Sequence, residues 1–120
     1  DEAIQRVCRK TIAMSKEKLK VYDELVAMCP RFERKGKTMP YTSANGYMFS
    51  LFNKAGEIGI RFSKEVQQKY MEEYNTTLYK SYNAVMRGYI LITEEMLQDM
   101  GNVAKLLDES YDYVMTLEPK

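Results

Sequence analysis

The stretch Tyr47-Met-Phe-Ser-Leu-Phe-Asn-Lys-Ala-Gly-Glu-Ile-Gly-Ile-Arg-Phe62 decides the fold. Its apolar residues recur at every second position. Tyr47, Phe49 and Leu51 fall on one face of a strand, and Ile58, Ile60 and Phe62 alternate with Glu57, Gly59 and Arg61 in a second. Asn53 to Gly56 has turn composition, with Gly56 suited to a positive φ, so the pair reads as an antiparallel hairpin.

Working outward, a short strand over Lys37 to Thr42 is expected beside the hairpin, with Pro40 confining it to an edge or a bulge. Ser63 is placed to cap a helix running to about Tyr74, with Val66, Tyr70 and Tyr74 on one side and Asn75 as its stop. Thr77 to Tyr82 has strand composition, and Val85 to Ile92 reads as a strand largely buried on both faces. Thr93 then caps a final helix whose stripe is Leu97, Met100, Val103, Ala104, Leu107, Tyr111 and Val114. Upstream, no Gly or Pro interrupts Glu2 to Met28, and Ile4, Val7, Cys8, Ile12, Leu19, Tyr22, Leu25, Val26 and Cys29 keep helical spacing until Pro30. The stripe thins near Ser15 to Lys18, so residues 1–13 are either the start of this helix or an N-terminal helical extension. The expected class is α+β: a small antiparallel sheet flanked by N-terminal, middle and C-terminal helices.

At 120 residues and 14.1 kDa, the chain is the size of one domain, 1–120. Lys+Arg of 18 against Asp+Glu of 17 gives a net charge of +1, so global charge favours neither nucleic acid nor an anionic membrane. There is no histidine, which removes the usual general base, the commonest metal ligand and the usual partner of a catalytic Ser or Cys. Cys8 and Cys29 sit at apolar helical positions about 30 Å apart along one helix, too far to form a disulfide. Two reduced core thiols are expected, with no metal site and no cofactor. No segment has the length and apolarity of a membrane span, and the N-terminus lacks the order of a secretory signal, so the cytoplasm is the expected location.

Four groups of residues carry candidate chemistry. Carboxylates cluster at Glu72-Glu73, at Glu94-Glu95 with Asp99, and at Asp108-Glu109 with Asp112; helix-dipole partners and a solvated face explain them. The ten tyrosines, several crowded between Tyr70 and Tyr82, suit either a binding surface or the edge of a small core. The Ser-Lys pairs Ser15-Lys16 and Ser63-Lys64 are adjacent at helix starts, with no burial to tune a pKa, and enzymatic activity is not expected. The nearest approach to a phosphate-contacting patch is the connector carrying Arg31, Arg34, Lys35 and Lys37 beside Phe32 and Tyr41. For a nucleic-acid footprint, Lys54, Arg61, Lys64 and Arg87 must converge on it.

Arg34 and Met39 ahead of Gly46-Tyr-Met-Phe-Ser-Leu-Phe52, then Gly56-Glu-Ile-Gly-Ile-Arg61, then Met86-Arg-Gly-Tyr-Ile-Leu-Ile92 leading into Thr93-Glu-Glu-Met-Leu97, together suggest a family. The chain resembles the N-terminal domain of TfoX/Sxy proteins over roughly residues 19–113. It departs from that pattern at Met39-Pro40-Tyr41, where the family has Met-Phe-Gly-Gly, and at Thr93, where a proline usually opens the last helix. The resemblance implies an α+β fold with an antiparallel sheet and no catalytic residues. It also implies a bacterial regulatory role exercised through protein contacts, as in the switching-on of DNA-uptake genes. A likeness to the small MmcQ/YjbR-like proteins implies nucleic-acid binding instead. Three functions are thus to be distinguished. The first is a regulatory module that needs a protein partner or self-association. The second is a nucleic-acid binder using Arg31, Arg34, Lys35 and Lys37. The third is a small enzyme, which demands a deep pocket holding a perturbed titrating group.

Overall fold

The computed structural model describes residues 17–37, 39–81 and 83–120. The expectations for residues 1–13, Cys8, the Ser15-Lys16 pair and the Tyr82 side chain lie outside them. Helix α1 covers residues 17–27 and ends two residues before the buried Cys29, ahead of Pro30. Strands β1 (Tyr41–Ala44), β2 (Tyr47–Phe52) and β3 (Ile58–Arg61) follow, then helix α2 (Lys64–Glu73) and strands β4 (Leu78–Ser81) and β5 (Ala84–Ile92). Helices α3 (Glu94–Leu97) and α4 (Met100–Met115) complete the α+β fold. The five strands form one antiparallel sheet in the order β1-β2-β3-β5-β4.

Local chemistry explains most boundaries. The Ser63 Oγ accepts a hydrogen bond from the Val66 N–H and caps α2, while Asn75, at φ 52, takes the left-handed turn that ends it. Asn53 closes the β2–β3 hairpin: its backbone N–H donates to Glu57 O, its Oδ1 accepts from Glu57 N, and Gly56 has φ 79. A second hairpin joins β1 to β2 through Asn45 (φ 56) and Gly46 (φ 84), the two-residue turn that an Asn-Gly pair favours. Asn45 also fixes the sheet to α4, because its Nδ2 donates to Val114 O at 2.9 Å and Leu117 O at 2.8 Å.

One face of the sheet carries the helices. Tyr22, Leu25 and Val26 of α1, Tyr70 of α2 and Val103, Leu106, Leu107 and Val114 of α4 pack in one cluster with Phe49, Ile58, Ile60, Phe62, Ile90 and Ile92. The other face carries a smaller cluster of Leu51, Tyr79 and Tyr89, bordered by Met39, Tyr41, Met48, Met86 and Leu91. Tyr79 reaches from β4 across β5 to lie over Gly59 of β3, where its hydroxyl meets Leu51 O at 3.1 Å and Glu57 O at 2.9 Å.

Four expectations are corrected. Leu51 does not share a face with Tyr47 and Phe49: Thr42 pairs with Ser50 and Ser43 with Met48, so Phe49 is an extra, bulged residue and the alternation shifts after it. The first strand starts at Tyr41 and not Lys37, because Pro40 precedes it and the chain from Lys35 closes a loop through the Lys35–Tyr41 backbone pair. Strand β5 is not buried on both faces; Val85 is 48% exposed, and burial starts at Tyr89, where β3 pairs with it. The final helix is two: Thr93 caps only α3, and Asp99, whose side chain accepts from Asn102 N, starts α4 afresh.

Candidate functional site

The basic connector is largely committed to the fold. The Arg31 Nη1 donates to Asp112 Oδ1 at 2.7 Å, and its Nη2 donates to Asp108 Oδ1 at 3.0 Å. The same guanidinium lies 4.5 Å above the Tyr111 ring. Arg34 pairs with Asp23 of α1 at 3.0 Å, and the Lys35 ammonium donates to Ser43 Oγ. Lys37 is exposed. The four cations therefore share one connector, but both arginines are neutralised by helix carboxylates. Arg61, Lys64 and Arg87 converge with one another at a separate cleft lined by none of these four residues, while Lys54 stays in the β2–β3 turn.

The carboxylate clusters have parted. Asp108 and Asp112 hold Arg31, which keeps the Asp112 carboxyl below its ordinary range. Glu109 accepts from the Tyr70 hydroxyl at 2.7 Å, and Glu72 from the Gln68 amide at 2.9 Å. Among the described residues, no group of three such side chains comes together as a metal site. No described helix is long and apolar enough to cross a membrane.

The tyrosines largely serve the core. Tyr22, Ser50 and Thr42, all fully buried, form a hydroxyl chain: Tyr22 to Ser50 is 2.8 Å and Thr42 to Ser50 is 2.5 Å. Burial pushes the Tyr22 phenol up to about 12 and raises Tyr70, Tyr79 and Tyr89 further. Burial, with Asp108 nearby, pushes the Cys29 thiol up to about 11. Every resolved shift among the described residues therefore carries its group further from neutral pH.

An open cleft of about 780 Å³ lies at the end of the sheet where β3 begins and β5 ends. Helix α1 forms one wall and α3 the other, with the β2–β3 turn below. Val21, Ile58, Leu97 and Met100 supply apolar surface. Glu17, Glu24, Glu57, Glu94 and Glu95 line it against a single lysine, Lys18. None of these glutamates forms an ion pair within the described residues. Sequence spacing identified Glu94 and Glu95 only as partners of a helix N-terminus. The cleft joins them to Glu17 and Glu24, distant in sequence, and only the path of the sheet signals that meeting. A predominantly acidic rim around an apolar floor attracts a ligand that is cationic at its edge and apolar at its centre.

Comparison with models of known protein families, with curated proteins and with solved structures gives no match for this chain.

Proposed function

We propose that this chain is a non-enzymatic interaction domain that holds a cationic, amphipathic segment of a protein partner in the cleft between α1 and α3. The observation that carries the reading is the pairing, in one cleft, of an apolar floor with five glutamates that form no ion pair among the described residues. Its volume lies within the ~300–1,000 Å³ range of ordinary binding sites. A helix with Leu or Met on one face and Lys or Arg flanking it matches both features, seating its apolar side chains near Val21 and Leu97. The TfoX/Sxy resemblance supplies the setting of the proposal: regulation by protein contact in the cytoplasm of a bacterium.

The test is a titration of ¹⁵N-labelled protein with a Lys/Leu amphipathic peptide, and with a Glu/Leu peptide of the same pattern. The reading predicts shifts concentrated at Val21, Ile58, Leu97 and their neighbours with the basic peptide only. Equal responses to both peptides, or shifts centred elsewhere, would overturn it. Nucleic-acid binding through Arg31, Arg34, Lys35 and Lys37 is the weaker reading, because both arginines already hold carboxylates.

A further inference from the structure

The two strands that lead into the acidic cleft carry the opposite charge at their other ends. Ile58 pairs with Ile92 beside the acidic cleft, and Arg61 pairs with Tyr89 three residues away along β3. There a second cleft, of about 450 Å³, is lined by Arg61, Lys64 and Arg87 and by no carboxylate. None of the three cations forms an ion pair within the described residues, in contrast to Arg31 and Arg34. Three uncompensated cations in one concavity repel one another, and an anion relieves that repulsion.

The backbone adds to this. Helix α2, ten residues long, begins at Lys64 on the cleft wall; Ser63 satisfies Val66 N, while the Lys64 and Glu65 N–H groups belong to the first turn, which has no intrahelical acceptors. Glu65 itself does not line the cleft. Gly88, at φ 84, brings β5 close to the end of β3: a Cβ there would lie 3.0 Å from Phe62 O and 3.3 Å from Arg61 Cγ. The remaining wall is mostly apolar, with Phe62, Leu78, Val85 and Tyr113 beside Gln67. Leu78 is 43% and Val85 48% exposed, and the Arg61 guanidinium lies 5.9 Å from the Tyr113 ring that completes the lining.

We propose that this cleft binds the phosphoryl group of a nucleotide, with the base against Leu78, Val85 and Tyr113. A phosphate monoester carries up to two negative charges and several acceptor oxygens, which suits arginine forks and a lysine point charge. A planar base suits exposed aliphatic side chains and a tyrosine ring. The phosphoryl group has two natural sources, a free mononucleotide or a single strand, and they separate by experiment.

Inorganic phosphate, AMP and a single-stranded oligonucleotide are titrated by NMR at 50 and 200 mM salt into wild-type protein and two variants. One variant is Lys64→Gln with Arg87→Gln, both exposed and neither in an ion pair among the described residues. The other is Lys54→Gln in the β2–β3 turn. AMP is expected to bind more tightly than phosphate, to shift Gly88 and Tyr113, and to weaken about tenfold in the double variant while remaining unchanged in Lys54→Gln. An oligonucleotide that binds far more tightly than AMP, with a salt slope of several phosphate contacts, identifies a strand as the source. Equal affinities identify a mononucleotide. Absence of binding by all three probes at millimolar concentration, or binding that ignores Lys64→Gln/Arg87→Gln in a folded protein, overturns the proposal. The probes differ from those for the acidic cleft, so either reading can fail alone.

Discussion

Replacing Gly59 by Ala tests the packing of the sheet face that carries no helix. An ideal Cβ at Gly59 would lie within 2.5 Å of Tyr79 Cγ and Cε2 and closer still to Cδ2. Carbon atoms settle at ~3.5–4.0 Å, so the ring must retreat by more than an ångström. It has little room, being 1% exposed with its hydroxyl held between Leu51 O and Glu57 O. If the sheet strains to keep the ring, overpacking costs about 1–3 kcal/mol. If the ring swings out, the hydroxyl bond worth about 1 kcal/mol is lost with part of the aromatic burial, bringing the cost to about 3 kcal/mol. At roughly 4 °C per kcal/mol, that is a fall of about 12 °C in Tm. Urea unfolding followed by far-UV circular dichroism gives the equilibrium value. The same substitution in a Tyr79→Leu background should cost about 1 kcal/mol, since the clash is with the ring. A Gly59→Ala protein within about 0.5 kcal/mol of wild type, a typical neutral surface substitution, would refute the reasoning.

Three further outcomes follow from the structure. Asn45→Ala removes both a residue that tolerates φ 56 and the two hydrogen bonds to Val114 O in the last turn of α4 and to Leu117 O just beyond it, and should destabilise by about 2 kcal/mol in the same unfolding assay. Ser50→Ala breaks the buried Tyr22–Ser50–Thr42 chain at its middle, leaving two hydroxyls short of a partner, for a loss of about 1–3 kcal/mol; an unchanged midpoint would contradict the chain. The buried phenols of Tyr22, Tyr70, Tyr79 and Tyr89 lie above the ordinary value of about 10, Tyr22 at about 12. The unfolded state therefore releases these protons first as pH rises. Stability should be flat in this respect below about pH 10 and fall as pH climbs toward 12. Absorbance at 295 nm should show some tyrosines ionising only with unfolding, whereas ten equivalent tyrosines titrating near 10 would contradict the burial.

The hairpin over Tyr47 to Phe62 and helix α2 were legible because period, turn and cap agree there: alternation in the strands, Gly56 in the turn, Ser63 and Asn75 at the helix ends. The bulge at Phe49 was not, since a strict two-residue period hides an inserted residue, and the outward turn of Leu51 depends on pairing with β1. The Asn45-Gly46 turn carried a readable signal, an Asn-Gly pair between two apolar runs, that the reading of the neighbouring strands left unused. The break between α3 and α4 lies inside an unbroken apolar stripe, and Asp99 as a second cap was its only local mark. Neither cleft was legible. Arg61 and Arg87 share a cleft because β3 and β5 are neighbours in a sheet whose order departs from the chain order, and Glu17 shares one with Glu94 because α1 packs on that sheet.

The most direct measurement of the central claim is the affinity of the Lys/Leu amphipathic peptide for wild-type protein and for the variant Glu24→Gln/Glu94→Gln/Glu95→Gln, by calorimetry at low and at physiological salt. The substituted side chains are exposed, and the variant is expected to fold. Three lost charge pairs at about 0.5 kcal/mol each predict roughly tenfold weaker binding at low salt, and a smaller difference as salt screens the rim. Equal affinity of the two proteins at low salt would contradict the assignment of the acidic cleft as the partner site.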